Sequence, residues 1–83
     1  ALADYLLIKD AVRGRSLEVI PEHIPYEVAA LNEPMAVARH AVNQVAPRPG
    51  DRVVVFGAGP IGLGATIALK FLGVSHVVVV DIQ

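Results

Sequence analysis

The most constraining stretch of the chain is a glycine-spaced turn set between two runs of β-branched residues. Val53-Val54-Val55-Phe56 leads into Gly57-Ala58-Gly59-Pro60-Ile61-Gly62, and Val77-Val78-Val79-Val80 ends on Asp81. Continuous apolar runs of this kind suit strands buried on both faces. Between them Ile61, Ala65, Ala68 and Leu72 recur at helical spacing from about Pro60 onward, and Gly73 suits a helix C-terminus. A helical connection is long enough to join parallel strands, so the segment predicts a β-α-β unit.

The glycine spacing carries a chemical expectation. Gly57 permits a sharp turn out of the strand, Gly59 leaves room for a diphosphate to approach the backbone, and Gly62 lets the helix pack close to the strand. The helix N-terminus presents unpaired N–H groups and the positive end of the helix dipole to an anion. Asp81 lies nineteen residues beyond Gly62. Its carboxylate can accept hydrogen bonds there from both hydroxyls of an adenosine ribose. A 2′-phosphate at that place meets a like charge, which favours NAD over NADP. Strand, helix, second strand and acidic tip together supply the context that a G-x-G-x-x-G turn requires. Two alternatives stay open from these residues. Flavoproteins use a similar turn, usually with Glu at the strand tip and near the start of the protein, and a purely structural β-α-β needs no ligand.

Charge and composition narrow the partners. Seven Lys and Arg stand against eight Asp and Glu, a net charge of −1. That balance gives no cationic field for nucleic acid and no basic patch for a lipid surface. The absence of Cys excludes a disulfide framework, a thiolate zinc site and a cysteine nucleophile within these residues. The longest uncharged run, residues 53–69, is broken by Gly57, Gly59, Pro60, Gly62 and Gly64. A membrane-spanning helix wants about 20 apolar residues. With no signal-peptide pattern either, the expectation is a soluble, cytoplasmic protein. The apolar fraction of 54% is high for 83 residues. Chains of this size bury only about 60% of their unfolded surface. The surplus therefore implies a cover supplied by more chain or by a partner.

The first half reads differently. Over residues 1–24, Tyr5-Leu6-Leu7-Ile8 and Leu17-Glu18-Val19-Ile20 predict short strands around a turn at Arg13-Gly14-Arg15, and Pro21 closes the second run. Residues 25–46 predict two helical pieces, one opening at Pro25 and one restarting at Pro34. Met35, Ala38, Val42 and Val45 form a stripe for a core, with Arg39, Asn43 and Gln44 turned away. Pro47, Pro49 and Gly50 end the helix in a turn. The histidines His23, His40 and His76 are too far apart to pair as metal ligands by spacing. Ser16, Thr66 and Ser75 have no neighbouring base, so nucleophilic catalysis has no support.

Several segments carry a family resemblance. Ala1-Leu2-Ala3-Asp4-Tyr5 resembles the G-x-F-A-E-Y segment of zinc-dependent medium-chain dehydrogenases. Ile24-Pro25-Tyr26-Glu27-Val28-Ala29-Ala30-Leu31 is similar to their I-S-x-E-x-A-A-L helix. Asn32-Glu33-Pro34-Met35-Ala36-Val37-Ala38-Arg39-His40-Ala41-Val42 resembles the E-P-L-A-V-A-x-H-A-V segment of the polyol and threonine dehydrogenase branch. Pro49-Gly50-Asp51-Arg52-Val53 and the glycine turn complete the likeness in order.

The resemblance implies an α/β chain in which residues 1–45 close a mostly β, GroES-like catalytic domain and residues 46–83 open a Rossmann domain. It implies an internal piece of an enzyme of roughly 350 residues, an ordinary size for two domains. The implied reaction is hydride transfer between NAD and a secondary alcohol or polyol, with zinc polarising the substrate oxygen. Gly57, Gly59, Pro60, Ile61, Gly62 and Asp81 then bind the cofactor. Glu33 matches a glutamate close to the zinc, although a carboxylate in a first helical turn is also favoured by the dipole alone. A homo-oligomer is implied as well, and a zinc-free quinone reductase of the same superfamily remains an alternative.

Overall fold

The computed structural model describes residues 2–83, so the first residue of the Ala1–Tyr5 segment lies outside them. Five elements follow in order: α1 (Tyr26–Ala29), α2 (Asn32–Val45), β1 (Arg52–Phe56), α3 (Pro60–Phe71) and β2 (His76–Val80). β1 and β2 pair in parallel, with Arg52 opposite His76 and Phe56 opposite Val80. The chain is α/β, and the predicted β-α-β unit is present.

Local chemistry sets the ends of α3. Gly59 is its N-cap in extended conformation, and Pro60 takes the first helical position, where its missing N–H has no intrahelical partner to lose. At the other end Gly73 has φ +85°, a left-handed conformation that glycine adopts without steric cost. Its N–H donates to the carbonyl of Lys70 at 3.0 Å, and the N–H of Val74 donates to that of Leu69 at 3.1 Å. These two bonds make a Schellman motif, and Leu69 and Val74, the residues it brings together, are both buried in the core. The helix end thus reverses the chain and seals the core in one step, delivering it into β2.

α2 packs across α3, and the core lies between these helices and one face of the sheet. Val42, Ala68, Leu69 and Val74 form its centre, flanked by Val53, Val55, Ala65, Leu72 and Val77. Ala38 is fully buried and abuts α3 at Gly64. A Cβ at Gly64 would lie 2.7 Å from Met35 Cε and 2.9 Å from Ala38 Cβ. The missing side chain therefore lets the two helices approach.

Several expectations are corrected. Both valine strands are covered on one face only: Val54, Phe56, Val78 and Val80 stand exposed on the other, because none of the described residues packs there. The uncovered apolar surplus expected from composition is therefore real and located. α2 begins at Asn32 rather than at Pro34, which sits in the first turn, where a missing N–H disrupts nothing. The break between the helical pieces falls at Ala30-Leu31. Pro25 is the N-cap of α1 rather than its first residue. Val45 is exposed, whereas Arg39 turns toward α3, with its guanidinium carbon 5.7 Å from the Phe71 ring centroid. In α3, Ile61 is exposed and the buried side is made by Gly64, Ala68 and Leu69, because α2 grips the helix from a second direction.

The strands expected at residues 5–8 and 17–20 do not form. Residues 2–24 contain one isolated bridge, Arg13 to Leu17, and a turn in which the Ser16 hydroxyl accepts from the Val12 N–H at 2.8 Å. A strand needs a neighbour to satisfy its backbone. The described residues offer these segments none.

Candidate functional site

The glycine turn sits where β1 hands over to α3, beside the tip of β2. Gly57 has φ +99°, which a residue with a side chain rarely adopts, so the sharp exit from β1 depends on glycine there. Its N–H donates to the carbonyl of Val80 at 2.7 Å, extending the ladder by one step. At Gly59 an added Cβ would meet nothing within 4 Å, so the backbone faces open space. At Gly62 the reverse holds: a Cβ would overlap the carbonyl oxygen of Gly57. The three glycines thus have the three separate roles that their spacing predicts, namely turn, open approach and close helix–strand packing.

The start of α3 has no side-chain cap. The Leu63 N–H donates to the Gly59 carbonyl at 2.9 Å, leaving the N–H groups of Ile61 and Gly62 without an intrahelical acceptor. They point outward from a helix end whose dipole favours negative charge. A groove of about 390 Å³ borders this end, lined by Phe56, Gly57, Gly59, Pro60, Ile61 and Gly62. Phe56 is largely exposed and Asp81 is exposed as well.

Asp81 stands at the same place. Its Oδ2 accepts from the Ala58 N–H at 2.6 Å and its Oδ1 from the Gln83 N–H at 3.0 Å. These backbone donors, foremost Ala58 and then Gln83, hold its carboxyl below the ordinary carboxylate value. The side chain is therefore ionised at neutral pH and acts as an acceptor only. Every residue expected to bind a cofactor is thus gathered at one crossover: Gly57, Gly59, Pro60, Ile61, Gly62 and Asp81. An uncapped, glycine-rich helix start beside an ionised carboxylate fits a diphosphate attached to a diol-bearing sugar.

Glu33 lies apart from this turn, exposed in the first turn of α2. Among the described residues no three His, Cys, Asp or Glu side chains are grouped to hold a metal ion. These residues do not make a zinc site by themselves, and Glu33 stands as a lone exposed carboxylate in the first turn of its helix. His23, His40 and His76 are each exposed, and His76 shares a hydrogen bond of 2.9 Å with the adjacent Ser75 hydroxyl. No helix among the described residues is long and apolar enough to cross a membrane.

A larger groove of about 690 Å³ runs between the 18–24 segment and α1–α2, bordered by Val19, Ile20, Ile24, Val28, Leu31 and Met35. It is apolar and converges on no titratable cluster, so size alone does not make it the site. Sequence reasoning missed two features: Gly64, whose role depends on a helix distant in sequence, and the bond from Asp81 to the turn.

Fold and site together define the chain as a parallel β-α-β unit with an open, glycine-rich turn at its crossover. Known proteins carry a similar segment. The chain is 50% identical over 64 residues to a probable D-xylulose reductase A from Aspergillus terreus. It is 48% identical to D-xylulose reductase A from Aspergillus niger and 47% to the one from Aspergillus oryzae, over the same length. Each match takes in 77% of this chain and 18% of the relative, so the chain spans about a fifth of the length of these enzymes. The resemblance to the polyol branch of the medium-chain dehydrogenases is borne out over that segment. No family model matches the chain, and no solved structure matches it.

Proposed function

We propose that this chain carries the NAD-binding turn of an oxidoreductase that transfers hydride between NAD and a secondary alcohol or polyol. What supports the reading is one observation above the rest. Asp81, the sugar acceptor, is hydrogen-bonded to Ala58 at the middle of the glycine turn, so sugar and diphosphate contacts lie within one nucleotide's reach. The names of the relatives, D-xylulose reductases, supply the polyol class.

In this reading the N–H groups of Ile61 and Gly62 hold the diphosphate over the open backbone at Gly59, and Asp81 takes the adenosine ribose hydroxyls. The bound nicotinamide supplies or accepts the hydride. Glu33 would give one carboxylate oxygen to a zinc ion whose remaining ligands come from outside these residues, and the ion would supply polarisation of the substrate oxygen. The same reading divides the chain near residue 45, between catalytic and nucleotide-binding domains. It also makes the enzyme a cytoplasmic homo-oligomer.

The test is direct titration with NAD and NADP. The protein should bind NAD in preference to NADP. Asp81→Ala should weaken NAD about tenfold or more and erase the preference, as expected for losing hydrogen bonds to a charged acceptor. Unchanged affinity and preference in that variant would refute the ribose assignment.

A further inference from the structure

We infer that Asp81 is also a positioning residue for the glycine turn, holding the diphosphate-binding backbone in shape before any nucleotide arrives. The inference deepens the NAD reading and rests on it for the identity of the ligand.

The observation is a contrast of ranges. Among the described residues every other side-chain hydrogen bond joins residues at most five apart. The bond from the Ala58 N–H to Asp81 Oδ2 spans twenty-three residues and is 2.6 Å long. Ala58 lies between Gly57, whose φ is +99°, and Gly59, which has no contacts for a side chain to make. Nothing in the turn's own side chains can fix it: two glycines and an alanine carry no polar group, and α3 has no side-chain cap. Glycine also loses the most conformational freedom on ordering. Two bonds tie this stretch to the end of β2: Gly57 N–H to the Val80 carbonyl, and Ala58 N–H to Asp81. The second is charge-assisted and so the stronger kind.

The consequence is a division of labour among donors. Ala58 spends its N–H on Asp81 and does not offer it to the anion. Gly59, Ile61 and Gly62 therefore remain the donors, aimed from a turn that Asp81 holds. An ionised carboxylate has about four acceptor sites. The ribose hydroxyls can thus join Asp81 without displacing Ala58, and one side chain serves both tasks.

Inorganic pyrophosphate separates the two tasks, because it has no ribose. Two neutral variants remove the confounding charge: Asp81→Asn keeps an acceptor for the Ala58 N–H, and Asp81→Ala does not. The expected result is that the Asn variant binds pyrophosphate about five- to tenfold more tightly than the Ala variant, the usual effect of one hydrogen bond. Without ligand, the Ala58 amide should exchange with solvent about tenfold faster in the Ala variant than in the wild type, with the Asn variant between them. The urea midpoint separates a local change at the turn from general loosening. Equal pyrophosphate affinity in the Asn and Ala variants, together with equal exchange at Ala58, overturns the inference. If the wild type binds pyrophosphate and Ala58 follows the predicted order while NAD binds no better than pyrophosphate, the positioning role stands and the cofactor reading fails.

Discussion

Residues 2–24 and residues 51–83 are both rich in apolar side chains, yet only the second set forms regular structure. The C-terminal segment contains both halves of each interaction that it needs. β1 finds β2, α3 covers their shared face, and Gly73 closes the loop between helix and strand. The N-terminal segment contains runs such as Tyr5–Ile8 whose side chains are exposed, Leu6 and Leu7 by 84% each. Hydrophobic runs become strands only when backbone and side chains are both met by a neighbour, and the described residues supply none here. The same holds for the bare face of Val54, Phe56, Val78 and Val80. Apolar composition therefore marks where structure is possible, and complementarity decides where it forms.

The largest test of this contrast is at Gly62. An alanine there places its Cβ onto the Gly57 carbonyl oxygen, which is backbone at the foot of the turn and cannot swing aside. Alanine gains about 1 kcal/mol of helix propensity over glycine. Forcing β1 and α3 apart costs more, so the expected net loss is about 2–3 kcal/mol. Urea unfolding should show a lowered midpoint, and NAD binding should weaken with it. A Gly62→Ala protein as stable as the wild type would mean that the helix–strand contact is not what holds the segment together.

Gly64 probes the same region with a smaller effect. Its added Cβ meets Met35 Cε, the end of a flexible side chain, and Ala38 Cβ, which is fixed to α2. Met35 can rotate away; Ala38 moves only with its helix. Part of the overlap is thus relieved and part is offset by helix propensity, leaving a loss of about 1 kcal/mol for Gly64→Ala. Thermal unfolding should show a modest drop in Tm, with nucleotide affinity unchanged because the added Cβ meets Met35 and Ala38 rather than the turn. Weakened NAD binding in a variant of near-normal stability would show that α2 and the turn are coupled.

The unequal legibility of the sequence follows from the same contrast. The β-α-β unit and the three roles of Gly57, Gly59 and Gly62 were readable because their determinants are local: β-branched runs, a fixed glycine spacing, an acidic tip. Gly64 was not, since its importance depends on Met35 and Ala38 approaching from α2. Helical periodicity sees one face and turns Arg39 to solvent, whereas the Phe71 ring supplies a second surface. The first-half strands do not form because alternation at Leu17–Ile20 states a preference and cannot provide a partner. At the site, the acidic strand tip is visible in the sequence, but the bond of Asp81 to Ala58 depends on how that tip meets the turn in three dimensions.

The smallest expected effect is at Leu7. The side chain is 84% exposed and belongs to no regular element, so Leu7→Ser removes little buried area. The change in stability of the β-α-β unit should stay within about 0.5 kcal/mol, the usual range for surface positions. Urea unfolding followed at the amides of Val55 and Val79 measures it where the strands pair. A loss well above that range would mean that the first-half apolar runs are covered in solution, by another copy or by further chain. The contrast between the halves would then describe missing neighbours rather than two different kinds of sequence. A null result, set beside the large effect at Gly62, keeps the cooperative structure of the chain in the residues that build the glycine turn.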